Sequence, residues 1–132
     1  MIKSDETKLN VFLHKCLRRI LKIYWPMKVT NEEIRSRTNM EEITQQIKRR
    51  RWKLIGHVLR KSATDNTRIA LTWTPEGRRK RGRPKETWRR TVEKERGELG
   101  FKGWTEASSC AKNRETWRDR IEGPISLKGK RT

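Results

Sequence analysis

Residues 9–24, LNVFLHKCLRRILKIY, decide the fold class of this chain. Apolar residues recur there at three- and four-residue spacing, and basic residues fill the gaps between them. This spacing places the apolar side chains on one face of a helix. We predict an amphipathic helix over residues 5–24, with one basic edge, which Pro26 ends.

A second, shorter helix is predicted to follow. Thr30 and Glu33 have the spacing of a capping box, and Val29 and Ile34 have the spacing of a hydrophobic staple around it. These four residues predict a helix that starts near Thr30 and runs towards Arg37.

A longer third helix is predicted to reach about residue 60. Asn39 and Glu42 resemble a second cap at its start. The middle of the helix, residues 48–53, is almost wholly basic. Its predicted apolar face consists of Ile43, Ile47, Leu54, Ile55 and Val58.

Proline and glycine positions delimit two further helices. The first is predicted to start at Pro84 and to be closed by Gly100. The last is predicted to be capped by Thr105 and ended by Gly123 and Pro124. The apolar stripes are Trp88, Val92 and Leu99 in the first of these helices, and Ala107, Cys110, Ala111, Trp117 and Ile121 in the last.

The predicted fold is mostly α-helical, with two small helical clusters at residues 5–61 and 84–122. A basic, irregular linker at residues 62–83 joins them, and a mobile tail follows at residues 123–132. Residues 68–73, within the linker, are ambiguous between helix and strand. Hydrophobic residues make up 31% of the 132 residues, against roughly 45–50% in globular proteins. The core is therefore expected to be thin and to depend on tryptophan, which buries a large area per residue.

The charge of the chain predicts a polyanionic partner. It has 35 Lys and Arg against 16 Asp and Glu, a formal net charge of +19. The density is highest in residues 78–90, RRKRGRPKETWRR. Side chains that cannot bury their charge need counter-ions, and the phosphate backbone of DNA or RNA is a dense source of them. Nucleic acid, either DNA or RNA, is therefore the first partner to test.

Two basic tracts are the predicted phosphate contacts. The linker tract comprises Arg78, Arg79, Lys80, Arg81, Arg83, Lys85, Arg89 and Arg90, and the helix tract comprises Lys48, Arg49, Arg50, Arg51 and Lys53. Because residues of the helix tract project in several directions, about half of them are expected to face one phosphate track.

The linker tract allows three interpretations. Residues 81–85, RGRPK, match the core of an AT-hook, in which glycine lets an extended backbone enter a narrow minor groove beside arginines. The string RRKRGRPK also suits a nuclear import signal, which would place an intracellular protein in the nucleus. The third interpretation is a solvated linker without a specific role. We favour general binding to the phosphate backbone.

Tryptophans among basic residues are typical of single-strand binders that stack bases on aromatic rings. Most of them are nevertheless expected in the core, because Trp88 and Trp117 lie on apolar stripes in a chain short of other large hydrophobic residues. Trp52 is the exception, since it lies opposite the predicted apolar face of its helix and next to arginines. Trp52 is therefore the candidate for base stacking.

Catalysis, metals and cofactors are not predicted. The acid pairs Glu32-Glu33 and Glu41-Glu42 begin predicted helices, where capping and the helix dipole explain them. His57 and His14 are remote from each other and have no cysteine at the spacing of a zinc site.

Targeting signals and reactive cysteines are not predicted either. Cys16 and Cys110 form no CxxC pair and are expected to act as small buried hydrophobic residues in a reducing compartment. The N-terminus MIKSDETK lacks the apolar region of a signal peptide, and no apolar run approaches the roughly 18 residues of a membrane span. No contact with a membrane is therefore expected.

Three strings in the chain together resemble a known family. They are RRRWKLIGHVLRK at residues 49–61, WTPEGRRKRGRPKETWRRTVEKE at residues 73–95 and AKNRETWR at residues 111–118. They resemble, in the same order, the C-terminal region of non-LTR retrotransposon endonuclease-reverse transcriptases, downstream of the polymerase fingers, palm and thumb. The likeness covers residues 8–120.

The resemblance implies a segment that helps a reverse transcriptase hold its template or target nucleic acid, with a polymerase-containing retroelement protein as a further candidate partner. It does not imply an enzyme. The family carries its catalytic carboxylates in a YADD-type motif, whereas the single Tyr24 precedes Trp25 and Pro26. The endonuclease half of the family is missing too, so the chain resembles a remnant or truncated reading frame. There are two alternatives to a function in nucleic-acid binding. The chain is either a basic helical adaptor that binds another protein, or a decayed copy of the retroelement without selected function.

Overall fold

The computed structural model describes residues 3–77, 82 and 86–127, with side chains up to residue 122. Within these residues the protein is mostly helical and contains no strand, so the predicted fold class is confirmed. The helices are α1 (Lys3–Ile20), α2 (Asn31–Thr38), α3 (Ile43–Leu59), α4 (Asn66–Thr72), α5 (Trp88–Glu98), α6 (Trp104–Lys112) and α7 (Arg114–Leu127).

The chain divides into two compact units, Met1–Lys48 and Arg49–Thr132. The division falls inside α3, whereas the first cluster was expected to extend to residue 61. The reason is that Trp52, Ile55 and Leu59 of α3 are buried in the core of the second unit. The segment expected as an irregular linker begins within this unit and includes α4, which settles the ambiguity over residues 68–73 in favour of a helix.

A small core holds the first unit together. Its buried residues are Leu17, Ile23 and Ile34, with Leu13, Leu21, Val29 and Met40 packed against them. Thr30 caps α2 by accepting a hydrogen bond from the backbone amide of Glu33 at 3.2 Å. The staple residues Val29 and Ile34 meet in the same core. The predicted start of α2 is therefore confirmed.

Three details of the first unit differ from the prediction. α1 ends at Ile20, before a turn in which Lys22 is left-handed with φ 54°. Asn39 does not cap α3 but ends α2, with φ 49° and its amide bonded to the carbonyls of α2, a position that asparagine tolerates well. The buried face of α1 is also narrower than expected, because Phe12 and Ile20 are exposed.

The core of the second unit confirms the expected dependence on tryptophan. Trp52 of α3 packs against the rings of Phe101 and Trp117, with centroids 6.2 and 6.0 Å away, and those two rings are stacked on each other at 5.4 Å. The other buried residues of this core are Ile55, Leu59, Val92, Leu99, Ala107, Ala111 and Ile121. Trp104 packs against it and is partly buried.

The buried face of α3 agrees with the predicted one at Ile55 but not at Leu54. Trp52, Ile55, Gly56 and Leu59 are buried, whereas Leu54 is 64% exposed. Gly56 permits this orientation, because a Cβ atom at this position would lie 2.2 Å from Nε1 of Trp117. The Trp117 indole uses that space to donate a hydrogen bond to the carbonyl of Trp52 at 3.2 Å.

The helix boundaries of the second unit also differ in part. α5 begins at Trp88 because Thr87 is its N-cap and accepts a hydrogen bond from the amide of Arg90 at 3.3 Å. Pro84, the predicted start, lies outside the described residues. Gly100, with φ 81°, follows the end of α5 as expected.

The predicted last helix is two helices. Gly103, not Thr105, is the N-cap of α6. Asn113 separates α6 from α7, and its side-chain oxygen accepts hydrogen bonds from the amides of Glu115 and Thr116 at 3.0 and 3.2 Å. α7 continues to Leu127, past the predicted end at residues 123–124. Of the expected mobile tail, residues 123–127 are therefore helical, and residues 128–132 lie outside the described part.

Candidate nucleic-acid interface

The exposed face of α3 in the second unit retains part of the helix tract. Arg50, Lys53, Leu54 and His57 are exposed at three- and four-residue spacing, opposite the core face. Lys53 lies 3.4 Å from a carboxylate oxygen of Glu122, and both side chains are about half exposed. An exposed ion pair of this kind contributes little stability, so Lys53 can exchange its partner for a phosphate.

Arg51, by contrast, belongs to the interior. Its guanidinium donates to Oε1 of the buried Glu95, and Oε2 of Glu95 accepts a hydrogen bond from the indole of Trp52 at 2.8 Å. The side chains of Arg51 and Glu95 are only 17% and 12% exposed. The charge of Arg51 is therefore already paired in the core, which disfavours the predicted phosphate contact at this residue.

Arg89 of the linker tract is also used within the protein. Its guanidinium donates to the carbonyls of Thr72 and Trp73 at 2.7 and 2.8 Å, and to the hydroxyl of Thr74 at 2.8 Å. These acceptors lie at the C-terminal end of α4, where carbonyls lack partners and a positive charge is favoured. Arg89 therefore fastens α5 to α4 instead of presenting its donors to a phosphate.

Other arginines of the second unit bind backbone carbonyls in the same way, at helix ends or in the connection after α5. Arg60 donates to the carbonyl of Ala111 at 3.2 Å, and Arg120 donates to those of Leu99 and Gly100 at 3.1 Å. Arg96 donates to the carbonyl of Phe101. Such contacts satisfy the carbonyls but leave the positive charge of the guanidinium in place.

The remaining predicted contacts fall into two groups. Arg78, Arg79, Lys80, Arg81, Arg83 and Lys85 of the linker tract lie outside the described residues. Lys48, Arg49 and Arg90 have contacts within the protein. Of the helix tract, the first unit contains only Lys48.

The second unit carries a further set of exposed cations with no ion pair to any described residue, which we call the open cations. They are Arg50, Lys94, Lys102, Lys112, Arg114 and Arg118. Arg114 and Arg118 lie one turn apart on α7, and both are exposed. Of these six, only Arg50 belongs to the predicted tracts. The others lie singly along the sequence, so no charge run distinguishes them.

One concave surface of the second unit is strongly basic. This basic cleft, of about 430 Å³, is lined by Arg60, Lys61, Arg68, Ser108 and Lys112, among other residues. Arg68 is held there by the carbonyl of Lys61 at 3.3 Å and the hydroxyl of Ser108 at 2.9 Å. Asp65 pairs with Lys61 at 3.5 Å. Hydrogen bonds from the hydroxyl and then the amide of Thr67 lower the pKa of Asp65.

The exposure of the tryptophans reverses the stacking prediction. Trp52 is 0% exposed and its indole faces Glu95, so no base can stack on it in this fold. Trp88, expected in the core, is 51% exposed, and Trp73 is 62% exposed. The exposure of Trp88 could have been expected from its place directly after the N-cap Thr87. The side chain of the first residue of a helix has no preceding helical turn beside it.

Trp88 borders a second concavity, the tryptophan cleft, of about 200 Å³. It is lined by Leu71, Trp88, Arg89, Val92, Glu93 and Trp104, together with Thr72. Glu93 accepts hydrogen bonds from the Trp104 indole at 2.5 Å and from Arg96 at 3.0 Å. Partial burial acts to raise the pKa of Glu93, but these hydrogen bonds and the charge of Arg96 outweigh it and lower the pKa.

Three further observations concern metal ligands, cysteines and membrane spans in the described part of the chain. It contains no group of three His, Cys, Asp or Glu side chains that could hold a metal ion. Cys16 and Cys110 are free and partly buried, and burial raises the pKa of the Cys110 thiol. None of the described helices combines the length and apolar character that a membrane span requires.

The chain was compared with models of protein families, with curated proteins and with solved structures, and none of the three comparisons found a match. The resemblance to reverse transcriptases therefore stays a prediction.

Proposed function

We propose that the protein binds the phosphate backbone of nucleic acid, as a segment that resembles the C-terminal region of non-LTR retrotransposon reverse transcriptases. The observation that carries the proposal is the imbalance of charge. Even if each of the 16 acids paired with one cation, 19 of the 35 cations would need counter-ions from outside the chain. A polyanion supplies them and releases its own bound ions on binding.

The contacts of the second unit support a division among its cations. Arg51 and Arg89 are fixed by internal acceptors, whereas the open cations and Lys53 point their charges to solvent. The linker tract adds six cations between residues 78 and 85. Binding through charges of this kind follows the backbone and reads sequence poorly, so we expect weak preference among sequences.

The salt dependence of binding tests this proposal. If about six phosphates are neutralised, a plot of log affinity against log salt concentration has a slope of about −5. Fluorescence anisotropy with labelled DNA and RNA, repeated over a series of salt concentrations, measures the slope. A nearly flat plot, or the absence of binding in dilute buffer, would contradict the proposal.

Two matched triple variants then locate the contacts. Replacement of Arg78, Arg79 and Lys80 by Gln is expected to make the slope shallower by about 3, since each lost phosphate contact removes about 0.9. The control replaces three exposed lysines of the first unit, Lys3, Lys8 and Lys15, by Gln. It changes the net charge equally and should alter the slope by less than about 1. Equal effects of the two variants would mean that net charge alone, not the linker tract, drives binding.

A second candidate function is favoured by the surface of the first unit. Val11, Phe12, Ile20, Tyr24, Trp25 and Met27 are exposed there, and Trp25 is 88% exposed. Exposed apolar residues that form a contiguous patch are typical of protein-interaction sites. The resemblance suggests a polymerase-containing retroelement protein as the partner, for which this chain would be a basic helical adaptor.

Competition separates the two candidates. An adaptor should keep its protein partner when DNA or RNA is added, and Phe12→Ser with Trp25→Ser should weaken that complex without changing binding to nucleic acid. If DNA or RNA displaces the partner, or if the double variant leaves the complex intact, the adaptor function is refuted.

A further inference from the structure

The tryptophan cleft is a concave aromatic surface in a unit rich in cations. We propose that it receives one unpaired nucleobase, which stacks on the indole of Trp88, so that the protein prefers single-stranded to double-stranded nucleic acid. This inference rests on the proposed binding to nucleic acid and adds the kind of strand that is bound.

The shape of the cleft fits one planar ring system. Trp88 exposes half of its surface at the start of α5, and Leu71 and Val92 supply apolar atoms beside it. The volume of about 200 Å³ is smaller than the roughly 300–1,000 Å³ of pockets for larger organic ligands. A base that stacks on Trp88 would cover apolar surface that is now exposed to water.

The walls of the cleft are held in position before any ligand binds. Arg89 joins the end of α4 to the start of α5 through the carbonyls of Thr72 and Trp73. Glu93 fixes the Trp104 indole through a hydrogen bond at 2.5 Å. Because these contacts already order the walls, binding a base would require little further loss of conformational freedom.

The charges around the cleft favour a nucleotide over an apolar peptide side chain. The guanidinium of Arg89 remains charged, and the acid of the cleft, Glu93, is paired with Arg96 at 3.0 Å. The phosphates that flank a bound base would therefore be attracted by positive charge. An uncharged aromatic or aliphatic side chain would gain no such electrostatic attraction.

The same geometry accounts for the preference between strands. The bases of a duplex are paired and stacked on one another, so that a base enters a side cleft only after it leaves the stack, which costs free energy. The bases of a single strand carry no such cost. A duplex would then be held by phosphate contacts alone.

The experiment compares three labelled ligands of equal length at one salt concentration, using the full chain and fluorescence anisotropy. The ligands are oligothymidylate, a phosphodiester oligomer without bases, and a DNA duplex. Trp88→Ala is expected to weaken binding to oligothymidylate by about fivefold or more. Binding to the duplex and to the oligomer without bases should change by less than about twofold, because the phosphate contacts are intact.

Two further variants control the result. Trp25→Ala removes another exposed tryptophan, in the first unit, and should leave all three affinities unchanged. Trp88→Leu keeps apolar contacts at the start of α5 but has no aromatic face, so it should lose affinity for oligothymidylate while circular dichroism shows an intact fold. This variant decides the question if Trp88→Ala fails to fold.

The outcomes distinguish this inference from the function on which it rests. Wild-type protein that binds none of the three ligands in dilute buffer would overturn the proposed function. Wild-type protein that binds all three while Trp88→Leu leaves the affinity for oligothymidylate unchanged would overturn the base site alone. An equal loss on all three ligands would also overturn it, since Trp88 would then act only on the fold.

Discussion

Replacement of Glu95 by Gln should destabilise the second unit strongly, although it changes only one carboxylate oxygen into an amide group. Glu95 pairs with Arg51 and accepts the indole hydrogen bond of Trp52, both at the edge of the core. In the variant, the guanidinium of Arg51 keeps its charge but faces a neutral amide. A charge that is mostly removed from water and has lost its counter-ion is costly.

The size of the effect follows from the burial of the pair. Removing one partner of a buried ion pair costs about 3–5 kcal/mol, and we expect about 3 kcal/mol because both side chains keep a small exposed fraction. In a domain of this size each kcal/mol lowers the melting temperature by about 4–8 °C. Glu95→Gln should therefore lower it by about 12 °C or more.

Urea denaturation followed by tryptophan emission is the suitable assay. Five of the six tryptophans lie in the second unit, so the emission reports mainly its unfolding. The matched control is Glu76→Gln, which makes the same charge change at an exposed position and should alter stability by less than about 0.5 kcal/mol. If the two variants differ by less than about 1 kcal/mol, the ion pair is not the buried element inferred here.

Three further results are expected. Gly56→Ala should lower the stability of the second unit by about 3 kcal/mol or more in urea denaturation, because its Cβ would lie 2.2 Å from the Trp117 indole; a neutral effect would contradict this packing. Arg89→Ala should lower the melting temperature measured by circular dichroism, whereas Arg50→Ala should weaken binding to nucleic acid at unchanged melting temperature; the reverse pattern would refute the assignment of the two residues. The pKa of Glu93 in the folded protein is lowered below its ordinary value of 4.5, so the contribution of Glu93 to stability is complete above pH 4.5 and is lost as the pH falls through the folded pKa. NMR titration of Glu93 should show the lowered pKa, and a titration midpoint at or above 4.5 would contradict this prediction.

The helices could be predicted from the sequence because their signals are local. The three- and four-residue spacing of apolar residues and the cap at Thr30 act within a few positions. Helix α1 and the cap of α2 are present as predicted, although the buried face of α1 is narrower than the spacing indicated. The orientation of α3 was not predictable in the same way. Leu54 fits an apolar stripe as well as Trp52 does, and the choice between them depends on Trp117, which is 65 residues away from Trp52 in the sequence.

The roles of individual cations were the least predictable part of the candidate site. A guanidinium that binds a distant carbonyl has the same local sequence context as one that faces solvent. Arg89 of α5, which binds a carbonyl at the end of α4, is an example. The density of charge predicted a partner class, but not which side chains remain for it. The tryptophans were unpredictable for a similar reason. Composition predicts that much of the aromatic surface is buried, but it does not predict which tryptophan ring is exposed.

In the second unit the internal contacts described above are made by arginines, although the open cations include arginines as well as lysines. Buried and helix-end acceptors are bound by arginines such as Arg51, Arg60 and Arg89, whereas Lys94, Lys102 and Lys112 are exposed. Acetylation, which neutralises lysine but not arginine, would therefore remove surface charge and leave these internal contacts untouched. Acetylation of these lysines one after another would therefore lower the affinity for a polyanion stepwise, without unfolding the protein.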